Sequence, residues 1–235
     1  MEQVFPREVL YILGIPIRDT VVHTWVLMAA LIAAAYFFKR RSRLHPSGWQ
    51  MAFESLVEFA TSTIEDMIGP RSARYVPLVG TMALFIATAN LLGVFPLLSS
   101  PTRDINTTLA LAIVVLLAVH YFGIREHGLL GYLKHFAEPN PVVLLLNVIG
   151  EFSRTLSLTL RLFGNIISSE MIVAAIFMLI PVIAPLPLQL LGMFTGLLQA
   201  YVYTILTCTY ISSAVEGSSS TNGSDDRPRP STEKE

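Results

Sequence analysis

Long apolar runs separated by short charged segments dominate the pattern of hydrophobic and polar positions along this chain. The runs cover about residues 21–38, 76–98, 107–124, 141–180 and 188–211. Because about 20 apolar residues cross the hydrocarbon core of a bilayer, each run predicts one membrane-spanning helix. The fold class predicted from the sequence is therefore all-α, a multi-pass membrane protein with about five transmembrane helices.

Residues 47–68 have a different pattern, in which charged and apolar positions alternate with a helical period. Glu54, Glu58 and Glu65 recur at near-helical spacing, opposite apolar positions such as Ile64. A helix with one acidic and one apolar face typically lies along a membrane surface rather than across it. We therefore expect a single amphipathic surface helix on the cytoplasmic side.

The fourth apolar run is too long for a simple span. Between Pro141 and Pro181 the chain contains no proline, so residues 141–180 could form one helix. Such a helix would extend about 58 Å at about 1.5 Å per residue, whereas the hydrocarbon core is about 30 Å thick. This element is therefore predicted to tilt strongly, to bend at Gly150 or Gly164, or to run partly along the membrane.

Basic residues predict the orientation of these helices in the membrane. The cluster at residues 39–43 follows the first span and should remain cytoplasmic, which places the N-terminus outside. Residues 1–20 are predicted to be an irregular outer lead-in. Residues 212–235 are rich in Ser, Asp, Pro and Arg and predict a disordered cytoplasmic tail. Asn90, within the second span, is predicted to bind a neighbouring helix rather than a ligand.

Composition and motifs exclude several classes of function. Charged residues make up 14% of the chain, against about 25% in soluble domains. No basic face with interleaved aromatic side chains is present, so nucleic-acid binding is not expected. The single cysteine, Cys208, excludes an intrachain disulfide framework. No phosphate loop, zinc spacing or Ser/His/Asp grouping occurs, so we expect no cofactor, no metal and no enzymatic activity of the chain alone.

One arginine lies within a long uncharged stretch. From Thr155 to Val215 the only formal charges are Arg161 and Glu170. A cation at membrane depth costs roughly 2.5–3.5 kcal/mol on insertion scales, and an intramembrane charge is by default a candidate functional site. Because arginine stays protonated at any accessible pH, this position provides a permanent positive charge.

Small and polar positions near Arg161 form one stripe along the same predicted helix. The stripe consists of Arg154, Ser157, Arg161, Gly164 or Asn165, and Ser168. Small and polar stripes allow close helix approach and can line a water path. The alternative is ordinary polar packing between the helices of a bundle.

An acid lies on each side of Arg161 along the helix axis. Glu170 follows it by nine residues and Glu151 precedes it by ten, where Glu151 can pair with Arg154. We therefore expect a proton to reach Glu170 from outside and to leave past Asn147 and Glu151 inside.

The last span offers further polar candidates on one face. Gln199 and Tyr203 share that face with Thr195. Gln199 is a candidate hydrogen-bond donor to Arg161 or to a passing carboxylate, although a membrane glutamine can equally serve to bind two helices together.

These residues resemble subunit a of the F-type rotary ATP synthase. The resemblance rests on Ser157–Asn165 (SLTLRLFGN), Ser169-Glu170, Leu198-Gln199-Ala200 and the outer-loop segment Pro101–Thr108 (PTRDINTT), and it covers roughly residues 50–212. It implies a stator subunit whose two long tilted helices embrace the rotating ring of c subunits. The other implied partners are the peripheral-stalk b subunits, the rest of the complex and membrane lipid.

The resemblance also implies roles for individual residues. Arg161 corresponds to the essential stator arginine, between two offset half-channels that carry ions to and from the ring carboxylates. Asn165, Glu170 and Gln199 match polar positions of the channel region. One familiar bacterial pattern has an acid fourteen residues before the arginine, where this chain has Asn147, so Glu151 is the candidate inner acid. That pattern also has a histidine where this chain has Gly192.

Three other interpretations remain open at this stage. The coupling ion is expected to be H⁺, with Na⁺ as the alternative. A stand-alone transporter or channel would need repeated halves or a second broken helix, and the sequence has neither. A purely structural membrane anchor would not explain charges buried at membrane depth.

Overall fold

Six helices account for most of the chain in the computed structural model, which describes residues 8–12, 15–41, 48–69, 72–93, 100–137, 141–179 and 185–216. The helices are α1 (Asp19–Arg41), α2 (Gly48–Ile68), α3 (Val76–Leu92), α4 (Ile105–Ala137), α5 (Pro141–Leu179) and α6 (Pro185–Glu216). By length and composition, α1, α4, α5 and α6 are able to cross a membrane. The predicted helical, multi-pass architecture is confirmed.

The N-terminal segment differs from the prediction of an irregular lead-in. Strands β1 (Glu8–Ile12) and β2 (Ile15–Arg18) form an antiparallel hairpin in which Leu10 lies opposite Ile17. The strands contain several β-branched and aromatic residues, which favour extended backbone. Helix α1 then begins at Asp19, two residues before the predicted span.

Helix α2 follows the prediction closely. It covers Gly48–Ile68, within one residue of the predicted surface helix. Its three glutamates are exposed, whereas Ile64 is completely buried. The ring of Phe59 stacks on Tyr201 of α6, with 6.0 Å between the centroids. The amphipathic pattern therefore correctly predicted the helix and the burial of Ile64, whereas Val57 on the predicted apolar side is half exposed.

The second and third spans differ in length from the prediction. Helix α3 is an apolar helix of 17 residues that ends at Leu92, and positions 94–98 of the predicted span lie outside the described residues. Helix α4 continues well beyond residue 124, to Ala137, so the charged residues after the apolar run are also helical. It breaks at Gly128, whose φ of 71° and ψ of 161° lie outside helical geometry. Glycine adopts such a positive φ readily because it has no Cβ.

The last two helices frame the arginine motif. Helix α5 covers 39 residues as one element, as the proline-free stretch predicted. Helix α6 begins at Pro185, three residues before the predicted start. This is possible because proline is tolerated in a first helical turn, where its missing N–H has no intrahelical partner. Helix α6 continues to Glu216, so the beginning of the predicted tail is helical, and residues 217–235 lie outside the described residues.

The core lies between α3, α4, α5 and α6. Helix α5 packs against both α4 and α6, and α6 also packs against α3 and α2. The large side chains that are almost completely buried include Tyr75, Ile86, Leu162, Tyr203 and Ile211. This packing holds one side of α5 against the bundle.

Asn90 joins α3 to α6, as its position within the second span predicted. Its Nδ2 donates to the carbonyl oxygen of Gly196 at 2.7 Å, and its Oδ1 accepts from the Thr102 hydroxyl at 2.9 Å. A Cβ added at Gly196 would lie 2.9 Å from the Cβ of Asn90. Because that atom lies next to the backbone of α3, it has little freedom to move away.

We expect Gly196→Ala to loosen the contact between α3 and α6. Overpacking a close contact costs about 1–3 kcal/mol. Gly192→Ala is the matched control, because its Cβ would meet Ser169 at an ordinary 3.6 Å. The measurement is the fraction of the subunit that remains folded after solubilised membranes are heated. Equal heat resistance of the two variants would contradict this account of the contact.

Candidate functional site

Helix α5 has one packed face and one open face, and Arg161 lies on the open face. Leu158, Leu162 and Ile166, spaced four residues apart, are buried against the bundle. Arg161 is exposed, as are Ser157 and Ser168 on either side along the helix. Among the described residues, no carboxylate lies within 4 Å of the Arg161 guanidinium.

The surroundings of Arg161 are apolar. Leu156 and Leu160 are about half exposed on the same open side of α5. Lipid tails cannot solvate a guanidinium, so a charge presented on an apolar face at membrane depth must meet either another protein or water. The open face of α5 is therefore suited to contact an acidic partner within the membrane.

At one end of α5, which we call the Arg154 end, Glu151 has a basic partner. Arg154 Nη1 lies 3.1 Å from Glu151 Oε1, which confirms the predicted pairing. The Arg154 guanidinium also lies 5.2 Å above the ring of Tyr210 on α6. A cleft of about 10 Å³ is lined by both ion-pair partners and by Thr155 and Tyr210. Such a volume is about enough for one water molecule. Asn147, one turn before Glu151, is half-buried.

At the opposite end, which we call the Arg103 end, Glu170 also has a basic partner. Arg103 Nη1 lies 3.5 Å from Glu170 Oε2, and Arg103 Nη2 lies 3.8 Å from Asp19 Oδ2. Arg103 is only 7% exposed. Sequence reasoning placed Arg103 in an outer turn and gave it no role. The sequence signal that could have identified Arg103 is a pair of opposite charges, Arg103 and Asp104, in the short segment between two apolar runs.

The turn that carries Arg103 is fixed by hydrogen bonds from several directions. The Ser100 hydroxyl donates to the carbonyl oxygen of Ala89 on α3 at 2.9 Å. Asp104 Oδ2 accepts from the Thr20 hydroxyl on α1 at 3.0 Å, and Asp104 Oδ1 accepts from the backbone N–H of Asn106 at 3.0 Å. These contacts connect α1, α3, α4 and α5 at the Arg103 end.

The remaining predicted residues fall into different environments. Asn165 Nδ2 donates weakly to the carbonyl oxygen of Thr195 on α6, at 3.5 Å. Gln199 is half-buried, its Nε2 has no hydrogen-bond partner, and no hydrogen bond joins it to Arg161 in the part of the chain that the structure describes. Tyr203 is 1% exposed and lies within the core, away from the open face of α5. Ser168 is the candidate that shares the open face with Arg161.

The arrangement separates Arg161 from one acid on either side of it along the same helix. At about 1.5 Å per residue, Glu151 and Glu170 lie about 15 Å and 13.5 Å from Arg161 along the axis. Each acid is paired with its own arginine, and neither pairs with Arg161. No group of three or more His, Cys, Asp or Glu able to hold a metal ion occurs in the part of the chain that the structure describes. The chemistry available here is therefore the binding and release of cations by two separated carboxylates.

Comparison with known proteins identifies close relatives over most of the chain. Residues 21–212 match the family model described as ATP synthase A chain. The chain is 42% identical to the ATP synthase subunit a of Moorella thermoacetica over 217 residues, which are 92% of this chain and 100% of that protein. It is 44% identical to an ATP synthase subunit a of a Bradyrhizobium species, over 86% of this chain and 90% of that protein. A Hahella chejuensis subunit a is 41% identical, over 88% of each chain.

Proposed function

This chain belongs to the ATP synthase A chain family, and on that basis we propose that it carries H⁺ through two offset half-channels to and from the carboxylates of a rotating c-subunit ring. It is a multi-pass membrane protein with the role of the stator subunit, and it is not an enzyme on its own. The observation that carries the proposal is Arg161, exposed on an apolar face without a carboxylate partner in the described chain.

Arg161 acts on a ring carboxylate through its permanent charge. A carboxylate must be neutral to face lipid, so it carries its ion through the bilayer. Beside the guanidinium the anionic form is favoured, so the ion is released. The same positive charge repels cations and prevents them from passing directly between the two half-channels. Each elementary charge that crosses 100 mV supplies about 2.3 kcal/mol, which drives rotation in one direction.

Glu170 and Glu151 define the two half-channels in this proposal. The Arg103 end is the outer side, where ions reach Glu170, and the Arg154 end is the inner side, where they leave past Asn147 and Glu151. The basic residues after α1 support this orientation, because positive loops stay cytoplasmic. The N-terminus is then outside, the C-terminus is cytoplasmic, and the membrane is the bacterial plasma membrane.

The open face of α5 is the proposed contact with the ring. Its small side chains at Ser157 and Ser168 permit close approach of another helix beside Arg161. Asn165 reaches α6 through the carbonyl oxygen of Thr195, at the edge of that contact, and Gln199 lies one turn further along α6. The peripheral-stalk b subunits and lipid cover the other exposed apolar surfaces of the bundle.

The coupling ion is tested by ATP-driven uptake into inverted membrane vesicles that carry the assembled complex. If the ion is H⁺, the vesicle lumen acidifies without Na⁺ in the medium, and a protonophore abolishes the gradient. The alternative ion is Na⁺, in which case sodium uptake would persist or rise with the protonophore. Absence of any ATP-driven ion uptake by an assembled complex would contradict the proposed function.

We expect Glu151→Ala to slow transport at the inner side. Groups that transfer protons contribute about 10²–10⁴-fold to rates, and with Asn147 in place of an acid we expect a loss of at least about tenfold. Glu126→Ala is the matched control, because Glu126 also pairs with an arginine, Arg74, at 3.2 Å but lies off the pathway. ATP-driven uptake measures both variants. Unaltered uptake in Glu151→Ala would reject its role as the inner acid.

A further inference from the structure

The Arg103 end contains an arginine that the half-channel scheme leaves without a role. Arg103 is nearly as buried as the core leucines, and a buried guanidinium is stable only when it is paired. Its nearest carboxylates belong to Glu170, the proposed outer acid, and to Asp19 at the start of α1. Its placement therefore bears directly on the group that receives ions from outside.

We propose that Arg103 is a positioning residue of the outer half-channel, which holds the Glu170 carboxylate and ties it to Asp19 on α1. This inference rests on the proposed function, since it assigns a role within the same ion pathway. Arg103 does not touch the ring in this scheme, and it acts on transport through Glu170.

The shape of the guanidinium suits this role. One terminal nitrogen, Nη1, faces Glu170, and the other, Nη2, faces Asp19. A planar fork with donors on both sides can bridge two carboxylates at once, whereas the lysine ammonium is a point charge on a flexible stem. Arg103 is thus able to fix the position of α5 relative to α1 at the height of the outer acid.

The backbone beneath Arg103 is held in place by the surrounding helices. Arg103 ends the one-turn helix Pro101–Arg103, and the Thr102 hydroxyl donates to Asn90 Oδ1 on α3 at 2.9 Å. Asn90 in turn donates to the carbonyl oxygen of Gly196 on α6. The fixed backbone places the guanidinium in one position, so that Glu170 is held by the whole bundle and not by α5 alone.

The charges at the Arg103 end explain why the loss of Arg103 would slow ion transport. Two carboxylates, those of Asp19 and Glu170, pair with the Arg103 guanidinium, and a third, that of the next residue Asp104, accepts from the Thr20 hydroxyl on α1. When all four groups are ionised, this cluster has two net negative charges, one fewer than without Arg103, so it attracts a cation less strongly than the three carboxylates alone would. Without Arg103, three carboxylates would remain close together, and a carboxylate near like charges holds a cation more firmly. Transport would then slow at the outer side.

The test is a double-mutant cycle in the assembled complex. The variants are Arg103→Gln, Glu170→Gln and the double variant, and the readout is ATP synthesis in vesicles driven by an imposed ion gradient, corrected for the amount of complex. Contacting residues show coupled effects, so we expect Arg103→Gln to lose at least about threefold. The double variant is expected to be no slower than Glu170→Gln alone. Losses that multiply in the double variant, or a native rate in Arg103→Gln, would overturn the proposal.

A conservative variant separates charge from packing. Arg103→Lys keeps one charge and is expected to restore part of the rate that Arg103→Gln loses. If Arg103→Gln fails to assemble, Arg103→Lys replaces it in the cycle, with the same expected non-additivity. A Lys variant as slow as Arg103→Gln in assembled complex would contradict the part played by the charge, and a Lys variant at the native rate would contradict the need for the two-sided guanidinium.

Two reference variants distinguish a failure of the proposed role of Arg103 from a failure of the proposed function. Arg74→Gln removes a half-exposed arginine that pairs with Glu126, and it is expected to support the native rate. Arg161→Ala is expected to abolish synthesis. If Arg161→Ala abolishes synthesis while the losses of Arg103→Gln and Glu170→Gln multiply, only the role of Arg103 fails. Native synthesis in Arg161→Ala would instead reject the proposed function.

Discussion

ATP-driven ion uptake is expected to fall at least about 100-fold in Arg161→Ala, the rate equivalent of about 3 kcal/mol. Without the guanidinium, nothing in this scheme favours the anionic form of a ring carboxylate at the point where it must release its ion. The complex itself should remain assembled, because Arg161 is exposed on α5 and the packed face of that helix uses other side chains. The measurement is lumenal ion uptake in inverted vesicles after addition of ATP.

The matched control for this variant is Ser157→Ala. Ser157 lies one turn away on the same open face of α5, and its hydroxyl carries no charge. We expect the control to transport at close to the native rate with the same amount of complex. Uptake near the native rate in Arg161→Ala would show that the arginine is not the stator charge.

Glu170→Gln is expected to slow transport about tenfold, since the rates of proton-transfer steps depend strongly on the transferring group. An amide has nearly the same shape as the carboxylate and can still accept a hydrogen bond from Arg103, so the fold of the Arg103 end should persist. It cannot take up a proton, however, and the outer half-channel loses its acid. ATP synthesis driven by an imposed gradient reports this step, because ions then arrive from the outer side.

Ser169→Ala is the control for Glu170→Gln. Ser169 is the preceding residue on α5, and its hydroxyl donates to the carbonyl oxygen of Asn165 within the same helix. Its removal should leave synthesis unchanged. If Glu170→Gln showed the native flux with the same pH dependence, Glu170 would have no place in the outer pathway.

Hydrophobic periodicity predicted the helices well, because membrane spans and amphipathic helices are defined by local composition. The bounds of α2 and α5 and the pairing of Glu151 with Arg154 follow from spacing along one helix. The ends of α4 and α6 were less predictable. Charged residues continue α4 beyond the apolar run, and α6 begins at Pro185, three residues before the apolar run that predicted it.

The partner of Glu170 could not be predicted from spacing. Arg103 lies in a different part of the sequence, in a turn, and only the packing of α1, α3 and α5 around that turn brings the two side chains together. Asn90 was correctly interpreted as a helix contact, yet its link through Thr102 to this turn also depends on tertiary packing. Tyr203 also depends on tertiary packing. Its spacing placed it on the same face of the last span as Gln199, whereas the structure places its side chain within the core.

The contact between the open face of α5 and the ring is the central claim, and disulfide cross-linking tests it most directly. A Ser168→Cys variant is paired with a cysteine placed beside the ion-binding carboxylate of the ring helix, and Ser169→Cys, which faces Gly192 on α6, is the control. The native Cys208 is completely buried and should not react. We expect oxidation to cross-link Ser168→Cys but not Ser169→Cys to the ring, and to stop ATP-driven uptake until the disulfide is reduced. A cross-link formed only from Ser169→Cys, or uptake that continues while Ser168→Cys is cross-linked, would contradict the account.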